Sequence, residues 1–192
     1  MGERNEPGNG SRATNGSETA AVLRGQLDRE TGNDDAWLPL RFVFRFSFPV
    51  SRLVRFLAYI DGAARGNPGP AGAGVYVEPE GTRPAEELFE PLGNQTNNVA
   101  EYSALILALT RAGELGADDV EIRSDSRLLV EQVNGNFKVK AAHLKPFVLD
   151  AVQRAKKFKR FHLKHVPREQ NKKADRMANL GADASEHPDI GP

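Results

Sequence analysis

Four carboxylates stand out by their surroundings: Asp61 in "AYIDGAA", Glu101 in "NNVAEYS", Asp125 in "IRSDSRL" and Asp175 in "KKADRMA". Each has an ordinary use. Asp61-Gly62 is a common turn dipeptide. With Asn98 as a helix N-cap, Glu101 falls at the third helical position, where a capping-box carboxylate belongs. Asp125 or Ser126 suits the N-cap of the helix that follows. Asp175 has Arg168, Lys172, Lys173 and Arg176 close by in the chain, enough for a solvated, ion-paired helix face. Gathered in one place, however, four carboxylates repel and raise one another's pKa values unless cations neutralise them. An all-oxygen set suits Mg²⁺ or Mn²⁺ rather than zinc. Two such ions about 4 Å apart are apparatus for in-line displacement at a phosphodiester.

The flanking segments decide whether the acids can meet. "RFLAYID" reads as a strand with Leu57, Tyr59 and Asp61 on one face, and "AGAGVYVEP" as a second whose backbone Gly72 and Gly74 leave approachable. "AEELFEPLG" is a weaker third, and the short linkers predict an antiparallel meander. Val99, Tyr102, Leu105, Ile106 and Leu109 recur at helical spacing over residues 98–114. A strand "DVEIRSD", a short helix "SRLLVEQVN", a loop "GNFKVKAA" and a helix over 143–156 follow. Then come a strand "FKRFHLKHV" and a closing helix "NKKADRMANLGADA". The order β-β-β-α-β-α-α-β-α predicts an α/β fold, a mixed sheet with an antiparallel edge, flanked by helices. If the first and fourth strands are parallel neighbours, Asp61 and Asp125 end them at the mouth of the sheet, where sites usually form. Glu101 lies in the first turn of the crossover helix, and Asp175 in the helix after the last strand.

The chain has 192 residues, 39% of them apolar, which allows one domain with a real core and something extra. It has no cysteine, which excludes a disulfide framework, a thiolate metal site and a cysteine nucleophile, and fits a cytoplasmic location. The formal net charge is zero, but its distribution is uneven. Residues 78–131 hold twelve acids against four arginines, and residues 137–176 hold thirteen Lys/Arg against three acids. Such halves suit a polyanion gripped on one side and cations held on the other, or simply two solvated faces. No stretch approaches the ~20 apolar residues needed to span a bilayer, so no membrane partner is expected. No basic, then apolar N-terminus suggests a secretory signal. Residues 1–53 read as a disordered or poorly structured extension, with an aromatic-rich part at 36–53 that suits an added strand or an interaction segment. An alternative is a natural start near Val54. The domain is expected at 54–184, with a flexible tail at 185–192.

"YIDGAARGNPGPAGAG", "TNNVAEYSAL", "RSDSRLLVEQV" and "HVPREQNKKADRMAN" resemble, in order and spacing, the successive motifs of ribonuclease H type I. The resemblance covers about residues 55–184, and its ending is similar to the archaeal and related bacterial branch. It implies the ribonuclease H-like fold, a five-stranded sheet of three antiparallel strands plus two parallel. It also implies endonucleolytic hydrolysis of the RNA strand of RNA–DNA hybrids, as in primers and R-loops, leaving 5′-phosphate and 3′-hydroxyl ends. Asp61, Glu101, Asp125 and Asp175 would ligate two Mg²⁺ or Mn²⁺ ions, one activating water and the other stabilising the departing 3′-oxygen. Glu101 would also orient a 2′-hydroxyl. Gly62, Ala63, Ala64 and Asn97 would read the RNA minor groove, and Asn67, Thr96 and Asn98 would meet a DNA phosphate and nearby sugars. Arg127 stands where some members carry a neutral amide, and is a further substrate candidate. Asn67, Thr96 and Asn98 equally suit turn and cap positions with local hydrogen bonds.

Two departures from the family pattern matter. The basic, tryptophan-bearing protrusion of many bacterial members shrinks to "NGNFKVKAAHLK", and Trp37 lies outside the domain. Grip must come from Lys138, Lys140, Lys145 and the cationic surface over 154–176, with steep salt dependence; residues 1–53 show no recognisable hybrid-binding module. The auxiliary histidine of many members has its counterpart in His165, ten residues before Asp175. Strand alternation places His165 with Leu163 and Phe161, beside the core. Arg168, in the loop after that strand, is the preferred auxiliary residue and His165 the runner-up. The expected partner is an RNA–DNA hybrid, with double-stranded RNA as a further candidate, and the expected state is a monomer. A non-catalytic nucleic-acid-binding module, or a nuclease for double-stranded RNA or RNA–DNA junctions, remains as an alternative.

Overall fold

A computed structural model describes residues 53–187; the expectations for residues 1–52 and 188–192 lie outside the described residues. Phe56, Ala58, Ile60 and Gly62 alternate with Leu57, Tyr59 and Asp61, and the chain from Arg55 to Ala64 forms strand β1 with the first set buried. Strand β2 (Gly69–Val77) and strand β3 (Glu86–Gln95) complete the meander. Helix α1 (Asn97–Glu114) crosses to strand β4 (Asp119–Ser124). Helix α2 (Arg127–Val133) follows, and a 3₁₀ turn at Ala142–Leu144 leads into helix α3 (Lys145–Ala155). Strand β5 (Arg160–His165), a 3₁₀ turn at Arg168–Gln170 and helix α4 (Lys172–Glu186) close the fold. The strand order is β3-β2-β1-β4-β5. β1 pairs antiparallel with β2 and β2 with β3, whereas β1/β4 and β4/β5 are parallel. This is the expected five-stranded mixed sheet.

One face of the sheet carries the core. Phe56, Ile60, Val75, Val77, Val120 and Ile122 pack there against Tyr102, Leu105 and Leu109 of α1 and against Leu129, Leu144 and Ala151. On the other face, α4 buries Ala174, Met177, Ala178 and Ala182. It lies so close that a Cβ at Gly72 would sit 2.2 Å from the Ala182 nitrogen, and one at Gly74 would sit 2.1 Å from that of Ala178. The two glycines do keep the strand approachable, and what approaches is a helix backbone. Tyr59, Glu121, Arg123 and Lys164 share a polar network on the β1–β4–β5 part of the sheet. In it, Arg123 donates to Tyr59 at 2.6 Å, and Arg123 and Lys164 both pair with Glu121.

Among the boundaries that differ from expectation, the ends of β1 and α4 matter most. β1 does not end at Asp61: its ladder with β2 continues through Gly62, Ala63 and Ala64, and the chain reverses only over residues 65–68. Asp61-Gly62 is therefore strand, not turn. The pairing with β4 stops at Ile60–Ser124, and β2 alone carries the extra residues. At the other end, Ser185 and Glu186 belong to α4 rather than to a flexible tail. The Ser185 hydroxyl accepts from the backbone N–H groups of Leu92 (2.9 Å) and Gly93 (3.0 Å) and donates to the Ala71 carbonyl (2.6 Å). No helix among the described residues is long and apolar enough to cross a membrane.

Candidate active site

Asp61 and Asp125 directly follow the last parallel pair of β1 and β4, so two adjacent strands deliver them to the same end of the sheet. Asp61 Oδ1 accepts from the Gly62 N–H at 2.9 Å. Burial, then the charge of Asp125, and more weakly those of Asp175 and Glu101, push the Asp61 carboxyl up to about 7. The Gly62 N–H opposes that rise.

Gly62 brings α1 against β1. A Cβ there would lie 2.2 Å from the Glu101 nitrogen and 2.5 Å from the Ala100 carbonyl carbon, so only glycine lets the helix approach this closely. The helix begins one residue pair earlier than the capping-box reading requires. Thr96 is the N-cap and accepts from Val99 N–H at 3.3 Å, which puts Glu101 in the second turn. Glu101 is therefore not a capping carboxylate. Its two oxygens accept instead from Asn97 Nδ2 (3.1 Å) and Ser126 Oγ (2.6 Å). Burial raises its pKa, opposed by the Ser126 hydroxyl and aided by Asp125. Ser126 is also the N-cap of α2, accepting from Leu129 N–H, which leaves the Asp125 carboxylate free of capping duty.

Asp125 accepts from Asn171 Nδ2 at 2.7 Å. Asp175, in the first turn of α4, meets Arg168 Nη2 at 3.1 Å and Asn179 Nδ2 at 3.3 Å. The four carboxylates, Arg168 and Asn179 line one open cavity of about 340 Å³ with Gly62, Ala63, Ala64, Arg65, Asn97 and Ser126. The four donor groups are hard oxygens, two of them with raised pKa, which is the chemistry that favours a hard dication. Among the described residues no three His, Asp or Glu side chains are already closed around a common ion position. Each carboxylate is instead engaged by an N–H or O–H of its own.

Residues 59–181 match the family model described as "Reverse transcriptase-like". The bifunctional protein Rv2228c of Mycobacterium tuberculosis is 44% identical over 126 residues, 65% of this chain and 35% of that protein. Ribonuclease HI of Halobacterium salinarum is 42% identical over 130 residues, 67% of this chain and 65% of that one. The crystal structure of LC11-RNase H1 in complex with RNA/DNA hybrid superposes with a TM-score of 0.62 at 38% identity, over 68% of this chain and 99% of that one. The chain belongs to the ribonuclease H type I family. It spans about a third of the length of the mycobacterial relative and about two thirds of the halobacterial one.

Of the residues the ribonuclease H motifs single out, the cavity gathers Asp61, Gly62, Ala63, Ala64, Asn97, Glu101, Asp125, Arg168 and Asp175. Thr96, Asn67, Asn98, Arg127 and His165 stand outside its lining. Asn67 Oδ1 accepts from the Asn97 N–H at 3.2 Å, fastening the β1–β2 loop to the start of α1. Asn98 borders a second groove with Leu128, Phe137, Lys138 and Lys140. Arg127 is exposed on the first turn of α2. His165 is not beside the core: it is exposed at the last position of β5. Alternation does align it with buried Leu163, but the strand ends there and the side chain has passed the core's rim. Sequence reasoning passed over Asn171 and Asn179. Their spacing gave a signal, since they lie four residues before and after Asp175, one helical turn each way.

Proposed function

We propose that this chain is an endonuclease that hydrolyses the RNA strand of RNA–DNA hybrids with the help of divalent cations, leaving 5′-phosphate and 3′-hydroxyl ends. The observation that carries this reading is the convergence of Asp61, Glu101, Asp125 and Asp175 on one cavity with Arg168 beside them. A surface built only to bind a polyanion gains nothing from four acids. Those four carboxylates would hold a pair of Mg²⁺ or Mn²⁺ ions, which when bound supply Lewis-acid stabilisation of the scissile phosphate and a more acidic attacking water.

The chain's own groups supply the rest. Glu101, fixed on both oxygens by Asn97 and Ser126, offers a carboxylate of set direction to a 2′-hydroxyl. Arg168 has a side chain 78% exposed, so it is free to turn from Asp175 towards a phosphate and balance charge gathering there. The backbone of Gly62–Ala64 and the Asn97 side chain form the wall against which the RNA minor groove would rest. Arg65, held at 2.6 Å by Asp183 of α4, adds a phosphate contact at the rim. Lys138 and Lys140, beside exposed Phe137, provide grip on the DNA strand in place of a longer basic protrusion. The same reading makes the molecule a cytoplasmic monomer acting on primers and R-loops.

The deciding experiment offers labelled RNA–DNA hybrid, double-stranded RNA, an RNA–DNA junction and duplex DNA with Mg²⁺ or Mn²⁺. The hybrid's RNA strand should be cut, and Asp125→Asn should lower the rate on the order of a hundredfold or more. Binding of the hybrid without cleavage under both metals would overturn the enzyme reading. Preferential cutting of double-stranded RNA or of the junction would replace the substrate.

A further inference from the structure

Asn171 occupies the N-cap position of α4, where asparagine usually accepts a hydrogen bond from its own helix. It makes no such bond. Its side chain turns inward, is 1% exposed, and gives both amide protons away: Nδ2 donates to the Ile60 carbonyl at 3.0 Å and to Asp125 Oδ1 at 2.7 Å. The Ile60 carbonyl can only accept, so the amide has only one usable orientation. Its Oδ1 is left buried with no donor among the described residues. An unsatisfied buried acceptor destabilises the fold. An N-cap bond that would have stabilised α4 is forgone as well.

The acceptors explain that arrangement. Ile60 is the residue before Asp61 and the last of β1 to pair with β4. Asp125 is the first residue beyond β4. The backbone carbonyl of Asn171 itself accepts from the Asp175 N–H at 3.0 Å, opening α4. One buried residue therefore touches the backbone beside Asp61, the carboxylate of Asp125 and the helical turn that carries Asp175. Glu101 is held separately, by Asn97 and Ser126.

We infer that Asn171 is a positioning residue that locks Asp61, Asp125 and Asp175 into a single frame and points one Asp125 oxygen away from the amide, towards the cation. This rests on the metal-dependent reading above. A hydrogen-bonded carboxylate whose free oxygen is pre-aimed binds metal with less reorganisation, and loss of such outer partners typically lowers metal affinity about 10- to 100-fold.

The test uses the full chain and Mn²⁺ alone, with free Mn²⁺ followed by electron paramagnetic resonance in the absence of substrate. Asn171→Leu keeps the branched outline at greater bulk and removes both donors, Asn171→Ala removes the side chain, and Ser185→Ala loosens α4 far from the acids. Both Asn171 variants should bind Mn²⁺ at least about tenfold more weakly. They should also lower kcat for the hybrid with little change in its KM, while Ser185→Ala changes neither. In the parent protein, the Asn171 side-chain amide resonances should shift along the Mg²⁺ binding curve, a readout that requires no variant to fold. Unchanged Mn²⁺ affinity in a folded Asn171 variant, or Asn171 resonances unmoved at saturating Mg²⁺, would overturn the positioning role alone. A parent protein that binds neither metal would overturn the metal-dependent function and this role together.

Discussion

Asp61 and Asp125 directly follow the last parallel pair of β1 and β4, and burial, then the charge of Asp125, holds the Asp61 carboxyl group above its ordinary range. That relationship gives the metal-free protein a pH signature. Asp61 rises from 3.8 to about 7, so the folded state keeps a proton that the unfolded chain has already released. Stability is full below about pH 4, falls as pH rises through about 7, and levels off above. At 1.36 kcal/mol per pH unit the loss reaches up to about 4 kcal/mol, with Glu101 acting in the same direction. Urea unfolding in EDTA from pH 4 to 8 measures it. Asp61→Asn should flatten the curve and be the more stable protein at pH 8; a curve parallel to the parent's would contradict the assignment. Added Mg²⁺ should restore stability to the parent near neutral pH by mass action.

Arg168 and His165 separate cleanly. Arg168→Ala should lower kcat for the hybrid about a hundredfold, the size of effect seen when one donor to a developing anion is removed. Arg168→Lys should recover part of it, because charge remains while the planar fork is lost. His165→Ala should turn over close to the parent rate. Single-turnover kinetics on one hybrid substrate reads all three. A large loss in His165→Ala with little change in Arg168→Ala would reverse the assignment.

Gly62→Ala should damage fold and site together. The new methyl would fall against the backbone of Ala100 and Glu101, which no rotamer can relieve. A cost of about 3 kcal/mol or more is expected, lowering Tm by roughly 10 °C. Because the helix must retreat from β1, metal affinity should drop even at temperatures where the variant is folded. Scanning calorimetry and a Mn²⁺ isotherm check the two effects separately.

Ser185→Ala removes three hydrogen bonds between the last turn of α4 and the β2–β3 pair. The expected loss is about 1–2 kcal/mol, with hybrid cleavage unaffected. Amide hydrogen exchange at Leu92 and Gly93 should quicken. No change in stability would mean that these bonds are replaced by water at no cost.

Element order, the mixed sheet and the meeting of the four acids were legible in the sequence, because periodicity and strand–helix alternation are local signals with one compact solution. The length of β1 was not. Asp-Gly favours a turn locally, and only the partner strand β2 outweighs that preference. The burial of His165 was misjudged for a related reason: alternation tells which face a residue occupies, but not where the neighbouring helices stop covering it. Asn171 carries no local signal of its role, since an asparagine at a helix start has an ordinary use as a cap. Its inward turn depends on where Ile60 and Asp125 arrive from, 111 and 46 residues away in the chain.

The parallel ladder between β1 and β4 stops one residue short of the two aspartates. Their separation thus starts from the interstrand spacing of a sheet, about 4.8 Å, a length common to all β-sheets. It is inherited from main-chain geometry, so side chains across the sheet can diverge widely without retuning it. A transplant of the chemistry to another scaffold would need only two parallel strands of matched register as its ruler, and the remaining carboxylates could then be brought in by whatever helices that scaffold provides.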